Sequence, residues 1–509
     1  MWPLLCIFLL PILYYVEMYS LDLFKAKEIL RSLLYMFWFG FAFAICSTYW
    51  FLATYPLDGL NIHSPILSIV IIGGVWMCFG VALSLPLAAW ILVAFVFKKA
   101  RPLTAALVGA CAWVILEYAR SWLVALAVYG SETLFGPHHT YYSMAYPLSA
   151  APIAKELLPV GGIYLASFVI ILTNYLIYHT IRMIPSGDHA DRISTFKLGG
   201  LIICMLSISA GGMHLIRNEN DSQTTFQAAI ITTNLPSGTQ KDIKEDVALN
   251  AVNSISNKDA LIFLPENINI LAPYLQKRGA SNTSLYNDHL IVGSFSDEKF
   301  SNIFFLNPRS GEVAYSGKQL LMPVGEYNIN WVTFLLRKTQ SAEWMQNYER
   351  SLHASNKHTP TFVFNDNSKN DLRIAGTLCS ENISPYIYRD ATNLGATVLI
   401  NLASHAPFRG SPLLSRQTIG ISATRALENG RYYIAASNDT RSFVITDQGI
   451  IQQISDSKAT FSHFNALIQT KNYMTPYVLF GDYFVVVCCV LLMLAFIWRE
   501  RVLYLPNIA

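Results

Sequence analysis

The chain has 509 residues, of which 53% are hydrophobic and 14% charged, with a net charge of +3 and a mean hydropathy of +0.36. A soluble globular chain carries about 25% charged residues, so the deficit points to membrane-embedded segments. The near-neutral charge, with no basic stripe interleaved with aromatics, excludes a nucleic-acid partner.

A helix needs about 20 mostly apolar residues to cross a bilayer. In chain order, seven stretches qualify: residues 2–19, 30–55, 64–97, 103–128, 158–181, 198–215 and 476–498. No polar turn divides 64–97, which reads as one tilted helix kinked at Pro86. Residues 2–19 lack a basic start and a small-residue cleavage site, so they read as a retained helix rather than a signal peptide.

Lysine and arginine set the orientation. The segment with Lys25, Lys27 and Arg31, the run Lys98-Lys99-Ala100-Arg101, residues 182–197 and residues 499–501 are basic. Residues 56–63 and 129–157 are nearly free of Lys and Arg. Basic and neutral loops alternate, so the positive-inside rule places the basic loops in the cytoplasm and residues 216–475 outside. The expected organisation is a transmembrane bundle over 1–217, a water-soluble domain over 224–471 and a returning membrane helix over 476–498.

The soluble part alternates strands and helices. Strands are expected at 225–232, 260–264, 290–295, 303–307, 312–316, 361–365, 372–378, 396–402, 432–437, 441–446 and 450–454, and helices at 242–256 and 411–429. Short continuous apolar runs such as Thr397-Val398-Leu399-Ile400 suit strands covered on both faces. The expected fold is an α/β sandwich, two sheets inside and helices outside.

Cys379 is the one cysteine of this soluble part; Cys6, Cys46, Cys78, Cys111, Cys204, Cys488 and Cys489 all fall in apolar stretches. Without a local disulfide partner in an oxidising compartment, it is a packing residue, a liability or a nucleophile. Two other strand ends carry charge. Leu264-Pro265-Glu266-Asn267 ends an apolar run, and Gly317-Lys318 leads into Pro323-Val324-Gly325-Glu326-Tyr327. Taken singly, Glu and Lys at strand ends are usually solvated and a lone Cys usually packs. Together they form a chemically sufficient set: Glu266 to take the thiol proton, Lys318 to hold the thiolate and a developing oxyanion, and Cys379 to attack a carbonyl. Glu326 and Glu381 are candidates to orient the lysine or serve as a second base.

These motifs, Pro-Glu after a strand, Lys followed by Pro-x-Gly-Glu-Tyr, and Cys-x-Glu, resemble the signatures of the nitrilase (carbon–nitrogen hydrolase) superfamily. More closely, the chain resembles the apolipoprotein N-acyltransferases. Thr424 to Arg431 is similar to that family's Arg-Ala-x-Glu helix, and Ser437-Asn438 with Asp447-Gln448-Gly449 resembles its closing hairpin. Trp113, Glu117, Arg120 and Trp122 match its membrane motif. The resemblance implies an α-β-β-α domain among membrane helices and an acyl-thioester mechanism of ping-pong type. It implies a phospholipid acyl donor and, as acceptor, the amine of a diacylglyceryl-cysteine apolipoprotein. It implies no metal or diffusible cofactor, and a place in the bacterial inner membrane.

Four departures stand out. Ser380 replaces a usual tyrosine, residues 404–410 replace a Ser-Asn-Asp-x-Trp-Phe-Gly segment, and residues 131–151 replace a Gly-Phe-Pro-Trp motif. The first of the family's usual eight spans has no counterpart. These departures keep open an amidase or an acyltransferase with another acceptor. A non-catalytic binding module is the remaining rival, opposed by the presence of all three groups.

Glu117 and Arg120 stand one turn apart and read either as a packing ion pair or as a polar wall at a substrate entrance. His138-His139 lack a third metal ligand. His405 offers a Cys–His dyad that explains less of the chain than Glu266 and Lys318 do.

Overall fold

In the computed structural model, the described residues are 2–504, apart from 19–25, 58–59, 61, 187–188, 220–223, 269, 272–288, 297–298, 356–361, 367–371 and 456–458. Lys25, counted above among the orienting basic residues, and Thr361, expected to open a strand, lie outside them.

Helices α1 (Leu10–Met18), α2 (Ala26–Ser47), α3 (Pro65–Val96), α4 (Pro102–Ala127), α5 (Ala154–Ser186) and α6 (His189–Glu219) precede the soluble part. Among the described residues, five helices are long and apolar enough to cross a membrane, and two shorter apolar ones, Pro3–Met18 and Tyr483–Ile497, fall at the first and last expected spans. Residues 65–96 form the single helix expected, with Pro86 inside it. Ser64 caps its start by accepting from the Leu67 N–H at 3.3 Å.

Three spans differ from expectation at their ends. The second stops at Ser47, and the chain continues as a 3-10 helix over Tyr49–Thr54. α5 is broken at Gly161-Gly162, where Gly162 has φ +61°. The last span is two pieces, Pro476–Phe480 and a long helix over Tyr483–Tyr504, divided by Gly481 at φ +61°. In each case the backbone direction changes within a stretch of high average hydropathy, which hydropathy does not report.

Among the described residues, the soluble part has twelve strands. They are β1 (Thr225–Thr233), β2 (Leu261–Phe263), β3 (Leu290–Ser296), β4 (Ser301–Asn307), β5 (Glu312–Gly317) and β6 (Phe362–Asp366), then β7 (Leu372–Leu378), β8 (Val398–Ser404), β9 (Tyr432–Asn438), β10 (Phe443–Ile445), β11 (Ile451–Ile454) and β12 (Phe461–Gln469). They pair in the order β5-β4-β3-β2-β1-β9-β8-β7-β6, with β12 beside β1 and the β10–β11 hairpin on β9. β1 and β9 register only at Thr233 and Asn438, so the path folds there into two half-sheets. Their inner faces share one core, including Phe226, Phe263, Phe305, Ile374, Ile400 and Ile434. Ile303 of β4 lies directly over Gly376 of β7, where no side chain intervenes.

The outer faces carry helices. α7 (Lys241–Asn253) covers Ile231, Ile262 and Ile291 through Ala248, Ala251 and Val252. On the other side, α10 (Pro385–Asn393) and α11 (Pro412–Asn429) cover Leu399 and Tyr433 through Tyr388, Ala391 and Ala426. The layering is α-β-β-α. Between these stand α8 (Asn330–Thr339) and α9 (Ala342–Ser351), which the sequence reading did not anticipate. They pack against the bundle: Trp331 lies over Gly74 of α3, and Val332 and Leu336 join Ile71 and Val75 in one cluster.

Strand direction places the chemistry. β1, β2 and β3 run parallel, as do β1, β9, β8 and β7, and β5 returns parallel to β3 through antiparallel β4. The carboxyl ends of β2, β5, β7 and β8 therefore converge on one edge, where α/β folds build sites.

Candidate active site

Glu266 follows β2 and is 7% exposed. The turn after it is fixed by Asn267, which has φ +66° and donates its N–H to Ser294 Oγ at 3.0 Å. Lys318 follows β5, is 2% exposed, and is held by its own N–H on Ser301 O at 2.8 Å. Its ammonium lies 2.8 Å from Glu326 Oε1 and 3.4 Å from Glu266 Oε1. The second oxygen of Glu326 accepts from the Met322 N–H at 2.7 Å, so the Pro-x-Gly-Glu turn closes around its own carboxylate. The second oxygen of Glu266 accepts from the Ser404 N–H at the end of β8, at 3.2 Å.

Cys379 opens the 3-10 turn Cys379–Ile383 with φ +40°, a left-handed conformation for a non-glycine residue. Such strain costs about 1–3 kcal/mol and persists only where surroundings impose it. It turns the chain sharply at the strand end and leaves Cys379 half-buried. Sγ lies 3.9 Å from Ser404 O, and Asn401 Nδ2 donates to the Cys379 carbonyl at 3.4 Å.

Glu381 does not meet the Lys318 ammonium. Its Oε2 accepts from the Leu378 N–H at 2.7 Å, and its Oε1 from the N–H groups of Gln319 at 2.8 Å and Leu320 at 3.4 Å. It thus staples the backbone after Lys318 to the backbone before Cys379. Ser380 adds a second staple, donating to Leu320 O at 2.6 Å. Burial pushes the Glu381 carboxyl up to about 7, with its three backbone partners opposing.

Burial and mutual repulsion shape the charges. Burial opposes the Lys318 ammonium, but Glu266 and Glu326 outweigh it and hold its pKa well above the ordinary value. Burial raises Glu266, with Lys318 opposing. Burial and the Glu266 charge raise Cys379 well above an ordinary thiol, again with Lys318 opposing. The resting state this favours is a neutral thiol beside a charged lysine. Such an arrangement is chemically able to pass the thiol proton to Glu266 during attack and to set the lysine charge against negative charge developing on a carbonyl oxygen.

Of the residues singled out in the sequence, Glu266, Lys318, Glu326 and Cys379 meet, and Glu381 supports their backbone. Glu117 and Arg120 do not reach them. They pair with each other at 3.3 Å within α4 and line a cavity with Phe43, Leu87, Trp113 and Tyr142. Tyr142 also lines a second apolar cavity with Trp50, Trp76, Phe79, Tyr141 and Met322. The Tyr141 hydroxyl is close enough to feel the Lys318 charge and that of a Cys379 thiolate, which act on it in opposite directions. Sequence reading quoted Tyr141 only as part of an unusual outer segment, and nothing local marks it as the neighbour of the thiol.

His405 packs edge-on against Phe408, and its Nδ1 is buried without a hydrogen-bond partner among the described residues. Burial holds it near 4 and therefore neutral. His138 Nδ1 contacts Ser384 Oγ at 2.9 Å. Among the described residues, no three His, Cys, Asp or Glu side chains group to hold a metal ion.

Comparison with known proteins gives the following. Residues 1–176 match the family model for the apolipoprotein N-acyltransferase N-terminal domain. A protein of Pseudomonas aeruginosa named apolipoprotein N-acyltransferase is 24% identical over 443 residues, covering 82% of this chain and 78% of the relative. Among solved structures, an amidase from Nesterenkonia sp. superposes with a TM-score of 0.34 at 14% identity, covering 51% of this chain and 95% of its own. A member of branch 10 of the nitrilase superfamily from Saccharomyces cerevisiae does so with a TM-score of 0.35 at 13% identity, covering 48% and 90%.

Proposed function

We propose that this chain, a relative of the apolipoprotein N-acyltransferases by its N-terminal family match and its similarity along 82% of its length, is an N-acyltransferase of the bacterial inner membrane. It moves a fatty acyl chain from a phospholipid, through a thioester on Cys379, to the N-terminal amine of a diacylglyceryl-cysteine apolipoprotein. The observation that carries this reading is the Lys318 ammonium, 2.8 Å from Glu326 and 3.4 Å from Glu266, buried beside the half-buried Cys379 on a strained turn.

The steps follow from the groups present. Glu266 takes the thiol proton as Cys379 Sγ bonds to the ester carbonyl carbon, and Lys318 faces the oxyanion. The ester C–O bond breaks, Glu266 returns the proton to the departing glyceryl oxygen, and the lysophospholipid leaves a thioester behind. The acceptor amine then attacks that carbonyl, gives a proton to Glu266, and expels Cys379, which recovers the proton. Two half-reactions share one covalent intermediate, so the kinetics are ping-pong.

The flanking elements fit substrates with long acyl chains. Residues 1–217 and 476–498 act as the membrane anchor of a catalytic unit over 224–471, with the catalytic edge on the periplasmic side. The cavities at Tyr142 supply apolar walls along α2 and α3. Glu117 and Arg120 form the polar wall of the one deeper in the bundle.

The test uses purified protein and a phospholipid carrying a labelled acyl chain. Label should appear on the protein, be released by hydroxylamine, and be absent from Cys379→Ala. Label that survives in Cys379→Ala would falsify the thioester. A diacylated lipopeptide should then discharge it; a stable acyl-enzyme in its presence would remove the acceptor assignment.

A further inference from the structure

The reaction proposed above leaves a proton unplaced. An acceptor amine arriving as ammonium brings two protons more than the amide retains. One passes through Glu266 to the departing Cys379 sulfur. The other must leave the protein, since ester plus ammonium gives amide, alcohol and one free proton. The acyl-loading half-reaction has no such surplus, because the thiol proton ends on the glyceryl oxygen.

A cavity of about 370 Å³, part of it open to solvent, reaches Glu266 without touching Lys318 or Cys379. Glu266, Asn267 and Asn438 lie on its walls, with Lys244 of α7 and the exposed Ser237 and Pro407. Its buried end is rigid. Asn438 donates to Leu235 O and Ser404 Oγ, both at 3.0 Å, and accepts from Thr233 Oγ1 at 2.8 Å and from the Leu235 N–H at 2.9 Å. A polar cavity with two to four hydrogen-bonding partners holds ordered water, and such water carries protons between groups too far apart to touch.

We propose that this cavity is the exit for the surplus proton, carrying it from the Glu266 carboxyl along water to the outer solvent, with Lys244 holding the route polar. The inference rests on the acyltransferase reading. The charged and titratable groups facing Glu266 are Lys318 and Glu326 from the segment after β5, the Cys379 thiol after β7, and Lys244 across the cavity. Lys318 and Glu326 serve both half-reactions alike. Only the cavity distinguishes the step that must release a proton.

The experiment measures the two half-reactions separately in full-length protein, with a labelled phospholipid for loading and a diacylated lipopeptide for discharge. The variants are Lys244→Met, which removes the charge, and Ser237→Phe, which fills the mouth; neither touches the reacting groups. Both should load at the wild-type rate. Both should discharge about tenfold more slowly at pH 7, a fraction of what proton transfer typically contributes. The deficit should vanish at pH 9, above the α-amino pKa of about 8, where the amine arrives neutral and no proton is surplus. Unchanged discharge in both variants, equal slowing of both half-reactions, or a deficit that persists at pH 9 overturns the route. Wild-type protein that takes up no label instead overturns the acyltransferase reading beneath it.

Discussion

Glu428 Oε1 accepts a hydrogen bond from the Ile163 backbone N–H at 3.2 Å, joining a helix of the sandwich to a helix of the membrane bundle. That N–H is available because α5 breaks at Gly161-Gly162 and a new helical start follows. The other oxygen of Glu428 lies 2.6 Å from Arg425 Nη1, both side chains being fully buried, and Arg425 Nη2 donates to the Tyr146 hydroxyl at 3.0 Å. One ion pair thus holds α11 to α5 and to the outer segment that also carries Tyr141.

Breaking this pair should be costly, because one charge is left buried alone. Arg425→Met should destabilise the protein by about 3–5 kcal/mol, seen as a lower unfolding midpoint in detergent. Arg425→Met combined with Glu428→Gln should cost clearly less than the two single changes added. A double variant as damaged as the sum would show that the charges do not depend on each other.

Lys318 cannot be replaced by a neutral side chain without removing what is, among the described residues, the one buried cation beside the thiol. Lys318→Met should lower the rate of acyl loading by about 10²–10³-fold, the usual worth of one electrostatic donor to a developing oxyanion. Single-turnover labelling of Cys379 measures it. A loading rate within threefold of wild type would remove Lys318 from the chemistry.

His405 gives the protein a defined response to acid. Burial lowers its pKa to about 4, against about 6.5 in an unfolded chain. The folded state therefore favours the neutral ring. Its contribution is fully present above pH 6.5 and is lost progressively as pH falls from 6.5 toward 4. One pKa unit is about 1.4 kcal/mol, so the loss is on the order of 3 kcal/mol. Unfolding midpoints measured from pH 7.5 to 4 should fall, and His405→Asn should flatten part of that fall. Parallel curves for the two proteins would contradict the assignment.

Gly376 has no room for a β-carbon, because the Ile303 side chain from the opposite half-sheet occupies the space. Gly376→Ala should cost about 1–3 kcal/mol through overpacking. It should also slow acyl loading, since β7 carries Cys379 at its end. Ile303→Val removes the Cδ1 methyl that meets the new group. Added to Gly376→Ala, it should recover most of the stability and the rate. Failure to recover would place the strain elsewhere.

Much of the architecture was readable from the chain. Apolar runs of bilayer length mark the spans because backbone groups in lipid must bond within their own helix. Eleven of the strands were expected from the sequence, several of them as short continuous apolar runs. β12 was not: it alternates, with Ser462, His463 and Asn465 interleaved among apolar residues, and gains its order from nine paired positions along β1. α8, α9 and α10 were missed as well; the apolar faces of α8 and α9 are covered by α3, that of α10 by the sandwich.

The amino-acid order alone determined where the long apolar runs lie, that one cysteine stands outside them, and which three residue types stand at strand ends, because hydropathy, charge and turn chemistry act over neighbouring residues. Only the tertiary structure decided that those ends share one edge. That depends on parallel pairing between strands far apart in sequence, and on a fold at Thr233 and Asn438 that no local pattern encodes. It also decided what each carboxylate does. Glu326 meets the lysine while Glu381 binds backbone N–H groups. An N–H is the same at every residue but proline, so its partner is legible only once the chain has folded.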